Sequence, residues 1–270
     1  MTENKTFFFL SGLPRSGSTL LRHILHQNPL IHASGTSGLF DVIYHLRKTW
    51  DKIVENHALD WALSEEKKCN VLRAAFHGYY HDTQRPLVID KNWHWPAEIE
   101  LLTELLGPPR ILVTIRDMRD VLASWEMLHR KNPTIHHKIK EKYAAQAATL
   151  EGRLQIYAKG DEAIGMAFNV IKDAINRGHR DKLHFVRFEE LTADPENTLR
   201  SIYDFLGLEH YTHNFQHIET AVLENDRAWG FKGLHSIEPG IRPTRSRWQE
   251  ILGKAGEQYF IDWDEFLNHP

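Results

Sequence analysis

The sequence predicts an α/β fold in which helices cover both faces of a central parallel β-sheet. Four short runs of apolar, β-branched or aromatic residues alternate with segments of helical periodicity. Runs without polar alternation indicate strands buried on both faces, as in a parallel sheet. With 270 residues, 41% of them hydrophobic, the chain is long enough for one large domain, and we expect residues 1–270 to form a single domain.

The strands should converge on a ligand cleft. Ligands of parallel sheets bind at the carboxyl ends of the strands, so the polar residues that follow each run are expected to meet at one edge. The predicted strands are residues 6–10, 87–89, 111–115 and 183–188.

Two long segments predict helices that are inserted over one side of this cleft. Residues 58–81 and 131–180 read mainly as helices. Gly160 and Gly165 interrupt the second segment, which therefore predicts two helices or one kinked helix.

Composition and charge exclude several classes of protein. A net charge of −3 and a pI near 6.7 supply no field that would attract nucleic acid or an anionic membrane. Cys69 is the only cysteine, so an internal disulfide and zinc sites built on paired cysteines are excluded, and we expect no metal. No segment reaches the roughly 18 apolar residues of a membrane span, and the apolar run near the N-terminus is too short for a secretion signal. We expect a cytoplasmic protein.

The turn after the first strand has the features of an anion-binding loop. Residues 12–19 read GLPRSGST, with the G-x-x-x-x-G spacing of a phosphate-binding loop, but Ser18 replaces the expected lysine. Backbone N–H groups at a helix start attract an anion, and Ser18 and Thr19 add hydroxyl donors. Arg15 supplies the missing charge in a planar fork suited to phosphate or sulfate. The alternative is a turn without a ligand, with Ser16 or Ser18 as the N-cap of the next helix.

Two further motifs follow in order. Arg116 ends the third predicted strand, and Ser124 lies eight residues later on the next helix. Later the chain reads VRFEELTADP and then IYDFLG. Together with the first loop, these motifs resemble those of sulfotransferases that use 3′-phosphoadenosine 5′-phosphosulfate (PAPS). The resemblance spans most of the chain and implies a P-loop-like fold.

The resemblance assigns the residues that bind the nucleotide. It implies that Arg116 and Ser124 hold the 3′-phosphate and that Phe188 lies at the base. The 5′-phosphosulfate would be held by the first loop through Arg15, Ser16, Gly17, Ser18 and Thr19.

The arginine of the first loop resembles the tyrosylprotein sulfotransferase branch of this family. The tail, which reads SIEPGIRP and then SRW, is similar to the nucleotide-covering segment of that branch and implies that Ser236 and Arg247 contact the nucleotide. The branch has a glutamate base in a GEET segment, whereas residues 33–38 here read ASGTSG. That base is therefore absent from the position where the branch has it.

A second segment resembles the cytosolic branch instead. DKNWHWP, which begins at Asp90, matches a K-x-H-x-P motif with one extra residue. Lys91 and Arg15 are then expected to stabilise the transferring group, and His94 to act as general base, because a neutral histidine suits that role near pH 7. The alternative is that His94 only packs in an aromatic loop between its tryptophan neighbours, and Asp41 and His32 are then the alternative bases.

Three functions follow from these motifs. The first is a sulfotransferase that moves a sulfuryl group from PAPS to a hydroxyl or amine, without a metal. The others are a P-loop nucleotide kinase and a non-catalytic nucleotide-binding module. We expect a small-molecule, lipid or glycan acceptor. The cytosolic branch stacks a tryptophan on adenine directly after the first loop, and Leu20 stands there instead, so other contacts must recognise the base.

Overall fold

A computed structural model describes residues 5–133, 142–220 and 224–268. Five parallel strands form one sheet in the order β2-β3-β1-β4-β5, and helices cover it on both faces. The predicted fold class is confirmed. The strands are β1 (Thr6–Gly12), β2 (Ile31–Thr36), β3 (Leu87–Lys91), β4 (Ile111–Ile115) and β5 (Leu183–Arg187).

The α-helices of the described residues connect the strands and continue the chain after β5. They are α1 (Ser18–His26), α2 (Leu39–Trp50), α3 (Val54–His57), α4 (Trp61–Tyr79), α5 (Ile99–Leu106), α6 (Met118–Lys131), α7 (Leu150–Tyr157), α8 (Ala163–Asn176), α9 (Phe188–Ala193), α10 (Pro195–Leu206), α11 (Trp248–Leu252) and α12 (Trp263–Asn268).

The side chains of β1 show how the sheet is covered. Phe7 and Phe9 face a core formed with α4, α5, α6 and α8, whereas Phe8 and Leu10 face a second core formed with α1 and α10. Phe9 is 1% exposed and Leu10 is fully buried. Successive residues of a strand point to opposite faces, so the continuous apolar run is explained by cores on both sides.

Strand β2 was not among the predicted strands. It lies at one edge of the sheet and pairs with β3 alone. Its sequence, IHASGT, lacks the long apolar run of a central strand because its outer edge has no neighbouring strand and half of its residues are only partly buried.

The helical predictions are largely correct. Helix α4 fills most of the segment 58–81, and Asp60 caps its start by accepting from the N–H groups of Ala62 and Leu63. In the segment 131–180, residues 134–141 lie outside the described part of the chain. Gly160 lies between α7 and α8 as predicted, but Gly165 lies inside α8. A Cβ at Gly165 would lie 2.2 Å from the Lys159 carbonyl oxygen, so glycine permits tight packing there.

Within the described ranges, no helix is both long enough and apolar enough to cross a membrane.

Asp90 ties the cleft edge of the sheet to the core. Its carboxylate accepts hydrogen bonds from Ser37 Oγ at 2.5 Å, from Trp95 Nε1 at 2.6 Å and from the Tyr80 hydroxyl. Asp90 is fully buried, and burial raises the pKa of its carboxyl. It therefore fixes β3 against the segment after β2 and against the end of α4, and it faces away from the cleft.

Replacing Asp90 tests this role. Asp90→Ala is expected to lower the free energy of unfolding by about 3 kcal/mol, because a buried donor that loses its acceptor costs about 1–3 kcal/mol. Urea denaturation measures the loss, and the exposed Asp82→Ala should change the free energy by less than about 0.5 kcal/mol. A loss below about 1 kcal/mol in Asp90→Ala would contradict the bracing role.

Candidate active site

A cavity of about 1130 Å³ lies at the carboxyl edge of the sheet. The end of every strand contributes to its wall, as expected for ligand sites of parallel sheets. The tail closes the opposite side with residues 234–244. The wall residues that follow or end β1 to β5 are Gly12 to Arg15, Thr36 to Gly38, Lys91 to His94, Arg116 and Phe188.

The first loop depends on a close contact with the third motif. Gly17 has φ +96°, and a Cβ at this position would lie 2.4 Å from the Phe188 ring. Arg15 also has a left-handed backbone, with φ +67°. The first hydrogen bond of α1 runs from the Leu21 N–H to the Gly17 carbonyl. The N–H groups of the helix's first three residues therefore have no partner inside the helix, which is the arrangement that favours an anion.

Ser16 braces the loop from behind. Its hydroxyl lies 2.7 Å from Thr114 Oγ1 and donates toward the Leu13 and Thr114 carbonyls, and its N–H donates to the Leu13 carbonyl. Ser16 is fully buried and is absent from the described cavity wall. The sequence assigned Ser16 to the nucleotide, but its donors are already used within the fold. It is also not the N-cap of α1, since Gly17 holds that position.

The predicted residues Arg15, Arg116, Ser124 and Phe188 lie together. Arg15 donates through Nε to Ser124 Oγ at 3.0 Å, and Arg116 donates through Nη1 to the Arg15 carbonyl at 3.4 Å. The Arg116 guanidinium lies 4.4 Å from the centre of the Phe188 ring. Burial lowers the pKa of both arginines, and repulsion from Arg116 adds to the effect at Arg15. Two partly desolvated cations side by side favour a polyanionic ligand.

Lys91 links the first loop to the second strand. Its Nζ donates to Thr19 Oγ1 at 3.4 Å and to Thr36 Oγ1 at 3.2 Å, and lies 3.7 Å from Glu224 Oε1. Burial lowers the pKa of Lys91 to about 8, although Glu224 opposes the shift. Its charge is therefore held inside the cavity wall, next to the helix start that favours an anion.

Glu224 belongs to a cluster that the sequence analysis missed. Its Oε1 accepts from the Thr36 N–H at 3.1 Å and lies 3.3 Å from Arg22 Nη2, and its Oε2 lies 2.9 Å from His235 Nδ1. Asp226 Oδ1 lies 2.7 Å from the same His235 nitrogen. In the sequence, only one feature pointed to this cluster: His235 directly precedes Ser236, which the resemblance assigns to the nucleotide.

His94 lines the cavity after the end of β3. Its Nδ1 is 2.9 Å from Asn92 Oδ1, and its ring stacks on Phe40 with centroids 4.3 Å apart and on Trp93 with centroids 3.3 Å apart. Burial lowers the pKa of His94, although Asp41 opposes the shift. His94 is therefore packed among aromatic rings, as one prediction has it, and it also lines the cavity, as a base would have to.

The two alternative bases, Asp41 and His32, differ in their position relative to the cavity. Asp41 lines the cavity beside His94. His32 is absent from the described wall and packs on the rings of His26 and Tyr80, because it lies near the amino end of β2 whereas the cavity lies at the carboxyl end. It lies in the wrong place for a base.

The two tail residues assigned to the nucleotide, Ser236 and Arg247, also differ in their position relative to the cavity. Ser236 lines the cavity as predicted. The Arg247 side chain is 56% exposed and pairs with Glu250 at 3.1 Å on α11, outside the described wall, because its backbone N–H is held by Asp120. Arg242 from the same tail lines the cavity instead. The described residues contain no cluster of side chains that could hold a metal ion.

Comparison with curated proteins identifies related sequences. Protein-tyrosine sulfotransferase A of Caenorhabditis elegans is 24% identical over 206 residues, which cover 75% of this chain and 50% of that protein. Protein-tyrosine sulfotransferase of Drosophila melanogaster is 25% identical over 207 residues, which cover 74% of this chain and 38% of that protein. The chain therefore spans half or less of the length of these two relatives.

Solved structures share the fold. The sulfotransferase domain from the curacin biosynthetic pathway aligns with a TM-score of 0.52 and 17% identity, over 78% of this chain and 77% of that one. Mouse sulfotransferase SULT7A1, solved in complex with PAP, aligns with a TM-score of 0.51 and 16% identity, over 98% of this chain and 84% of that one.

The family assignment follows from the sequence match. A family model described as the sulfotransferase family matches residues 8–213, from β1 through α10. This range contains the first loop, the Arg116 and Ser124 pair and Phe188. Because the match covers most of the chain, this protein belongs to the sulfotransferase family.

Proposed function

We propose that this protein transfers a sulfuryl group from PAPS to a hydroxyl or amine of an acceptor. The observation that carries the proposal is the meeting of Arg15, Arg116, Ser124 and Phe188 around one cavity, although they come from three distant motifs. Membership of the sulfotransferase family and similarity to protein-tyrosine sulfotransferases support it. A structural neighbour solved with PAP supports PAPS as the donor.

The cavity suits a nucleotide that carries phosphate at both ends. Arg116 and the Ser124 hydroxyl would hold the 3′-phosphate, and the Phe188 ring against Arg116 would contact the base. The N–H groups at the start of α1, with Thr19 and Lys91, would hold the phosphosulfate. Arg15 touches Ser124 in the free protein, so it lies within reach of the 3′-phosphate as well as of the loop that it belongs to.

The transfer step requires charge and alignment. As in phosphoryl transfer, the acceptor attacks in line and negative charge spreads over the peripheral oxygens of the moving group. Lys91 lies between Thr19 and Thr36, which suits it to stabilise that charge in a buried site. The acceptor oxygen forms a bond to sulfur while the bond from sulfur to the phosphate oxygen breaks, and 3′-phosphoadenosine 5′-phosphate (PAP) leaves.

The acceptor proton needs a base. Among the described wall residues, His94 and His235 are the histidines. His94 is the residue that the sequence predicts for this role. Both rings hold Nδ1 in a polar contact, so both can present Nε2 to an acceptor.

The acceptor itself is the least constrained part of the proposal. Trp93, Trp125 and Trp229 line the cavity, and aromatic walls suit an aryl group or a sugar ring. A small-molecule, lipid or glycan acceptor stays a prediction, as does a cytoplasmic location. The names of the relatives add protein tyrosine as a further candidate.

The other two functions have less support. A nucleotide kinase of the P-loop type needs a lysine where Ser18 stands, and Arg116 with Ser124 would have no phosphate to hold in ATP or ADP. A non-catalytic module would bind PAP without releasing sulfate from PAPS. Turnover of PAPS separates that module from an enzyme.

Nucleotide preference tests the donor. Calorimetry is expected to show tighter binding of PAP than of AMP, ADP or ATP. Arg116→Ala should weaken PAP binding by about 10- to 100-fold, because a charge-assisted hydrogen bond contributes about 1.5–3 kcal/mol. The matched control is Arg119→Ala, because Arg119 pairs with Asp117 away from the described cavity wall. Equal or tighter binding of ATP would favour the kinase instead.

The contact between Gly17 and Phe188 gives a second test. Gly17→Ala is expected to weaken PAP binding by at least about tenfold, since the new methyl group would displace Phe188 or the loop. Gly178→Ala is the matched control: Gly178 has φ +83°, but nothing lies within 4 Å of its Cβ position. Backbone strain is then similar in both variants. If both weaken PAP binding equally, the steric contact is not the cause.

The pKa of Lys91 predicts a pH dependence of binding. Because the Lys91 pKa is lowered to about 8, the lysine loses its charge as pH rises above that value, and PAP binding must then take up a proton. Affinity is expected to fall above pH 8, by at most about tenfold per pH unit. Calorimetry in buffers of different ionisation enthalpy measures the uptake. Lys91→Arg should remove this slope, and an unchanged slope would assign it to another group.

A further inference from the structure

We infer that His235, held by Asp226 and Glu224, is the general base that removes the acceptor proton. This inference rests on the proposed function and names a residue that the sequence motifs do not assign. His235 lines the cavity from the tail, and its Nδ1 lies 2.7 Å from Asp226 Oδ1 and 2.9 Å from Glu224 Oε2.

The two carboxylates select the tautomer of the neutral ring. Ionised carboxylates can only accept hydrogen bonds, so Nδ1 of the neutral ring carries the hydrogen and the lone pair lies on Nε2. In the part of the chain that the structure describes, Nε2 has no hydrogen-bond partner. When Nε2 takes a proton, the adjacent carboxylates stabilise the resulting imidazolium. The pair thus orients the ring.

The tail places this ring beside the predicted transfer centre. Arg15 donates through Nη1 to the carbonyl of Leu234, the residue before His235. Glu224 contacts the His235 ring through one oxygen and lies 3.7 Å from Lys91 Nζ through the other. One carboxylate therefore separates the ring from the lysine that would stabilise the moving sulfuryl group.

Glu224 itself is poorly suited to accept the proton. Burial would raise its pKa, but His235, Lys91 and Arg22 together lower the pKa to about 2. Such a carboxylate stays ionised at neutral pH and acts as a fixed negative charge. Glu224 and Asp226 are therefore positioning residues. The other charged groups near the ring are Arg15, which Asp226 stabilises, and Arg22 and Lys91, which face it through Glu224.

His94 is less suited to the role than His235. Its Nδ1 contacts a neutral amide oxygen of Asn92, and the Asp41 carboxylate acts on the ring without a hydrogen bond to it. Its ring is stacked on Phe40 and Trp93, and burial lowers its pKa. These contacts fit a residue that shapes the acceptor wall.

The step balances as a single transfer. The acceptor oxygen attacks sulfur while its proton moves to His235 Nε2, and the electron pair of the broken sulfur–oxygen bond leaves with the phosphate of PAP. The proton then passes from the imidazolium to solvent, which restores the neutral ring.

The experiment compares His235→Gln with the matched variant His94→Gln. Radiolabelled PAPS is supplied with phenol, with 4-nitrophenol or with water alone as acceptor, at slightly alkaline pH. For phenol and for water, His235→Gln is expected to lower kcat by at least about 100-fold, because a general base contributes about 10²–10⁴-fold. For 4-nitrophenol, which is largely ionised at this pH, the loss should be under about tenfold, since no proton remains to be removed.

Two controls separate the base from a structural residue. PAP affinity of His235→Gln should stay within about threefold of wild type. His94→Gln should raise KM for the phenols with a smaller effect on kcat, as expected for a wall residue. Asp226→Asn should lower kcat for phenol more than kcat for 4-nitrophenol, because Asp226 takes part in proton removal through the His235 ring.

The outcomes separate this inference from the proposed function. If wild type releases sulfate and His235→Gln matches it, or if the variant loses equal activity on both phenols, the assignment of the base is wrong and the function stands. A 100-fold loss in His94→Gln that 4-nitrophenol relieves would return the role to His94. If wild type moves sulfate to neither phenol nor water, the proposed function fails and the base assignment fails with it.

Discussion

Parallel pairing of β1 with β3 and β4 is the constraint on which the rest of the site depends. Leu10 pairs with Lys91, and Gly12 pairs with Thr114, so the first loop, Lys91 and the start of α6 all emerge at one edge. The strands stay in this register because β1 is buried in a core on each face. A one-residue slip would exchange the two sets of apolar side chains. The same register therefore sets both the core and the cluster of cations.

The cations at this edge need counter-charges in the free protein. Lys91 and Arg22 are almost completely buried, and buried charges are tolerated only when they are paired. The tail supplies Glu224 to both of them. Because Glu224 also contacts His235, the electrostatic requirement of the sheet edge determines where the tail lies. The ion pairs that neutralise the sheet edge therefore also help to position the proposed base and the wall that closes the cavity.

Most of the predicted residues that line the cavity were predictable because local sequence specifies them. A loop of glycine, serine and arginine between a strand and a helix favours an anion through its backbone N–H groups, and Arg116 directly follows the end of β4. Side-chain direction was not predictable in the same way. Ser16 lies inside the loop but turns its hydroxyl to Thr114, and His32 lies near the amino end of β2, away from the cavity. Arg247 follows the correct tail motif, yet Asp120 anchors its backbone outside the cavity.

The sequence by itself determined the alternating strands and helices, the glycine-rich loop after β1 and the motifs of a sulfotransferase, because periodicity, turn chemistry and charge spacing act over a few neighbouring residues. Only the tertiary structure decided which residues share the cavity with Lys91. Glu224 and His235 are more than 130 positions from Lys91 along the chain, and no local pattern records that proximity. These residues come together because the chain after α10 folds over the sheet edge, where buried charge must be neutralised. Thr36, at the end of the edge strand β2, also contacts Lys91 and Glu224 there.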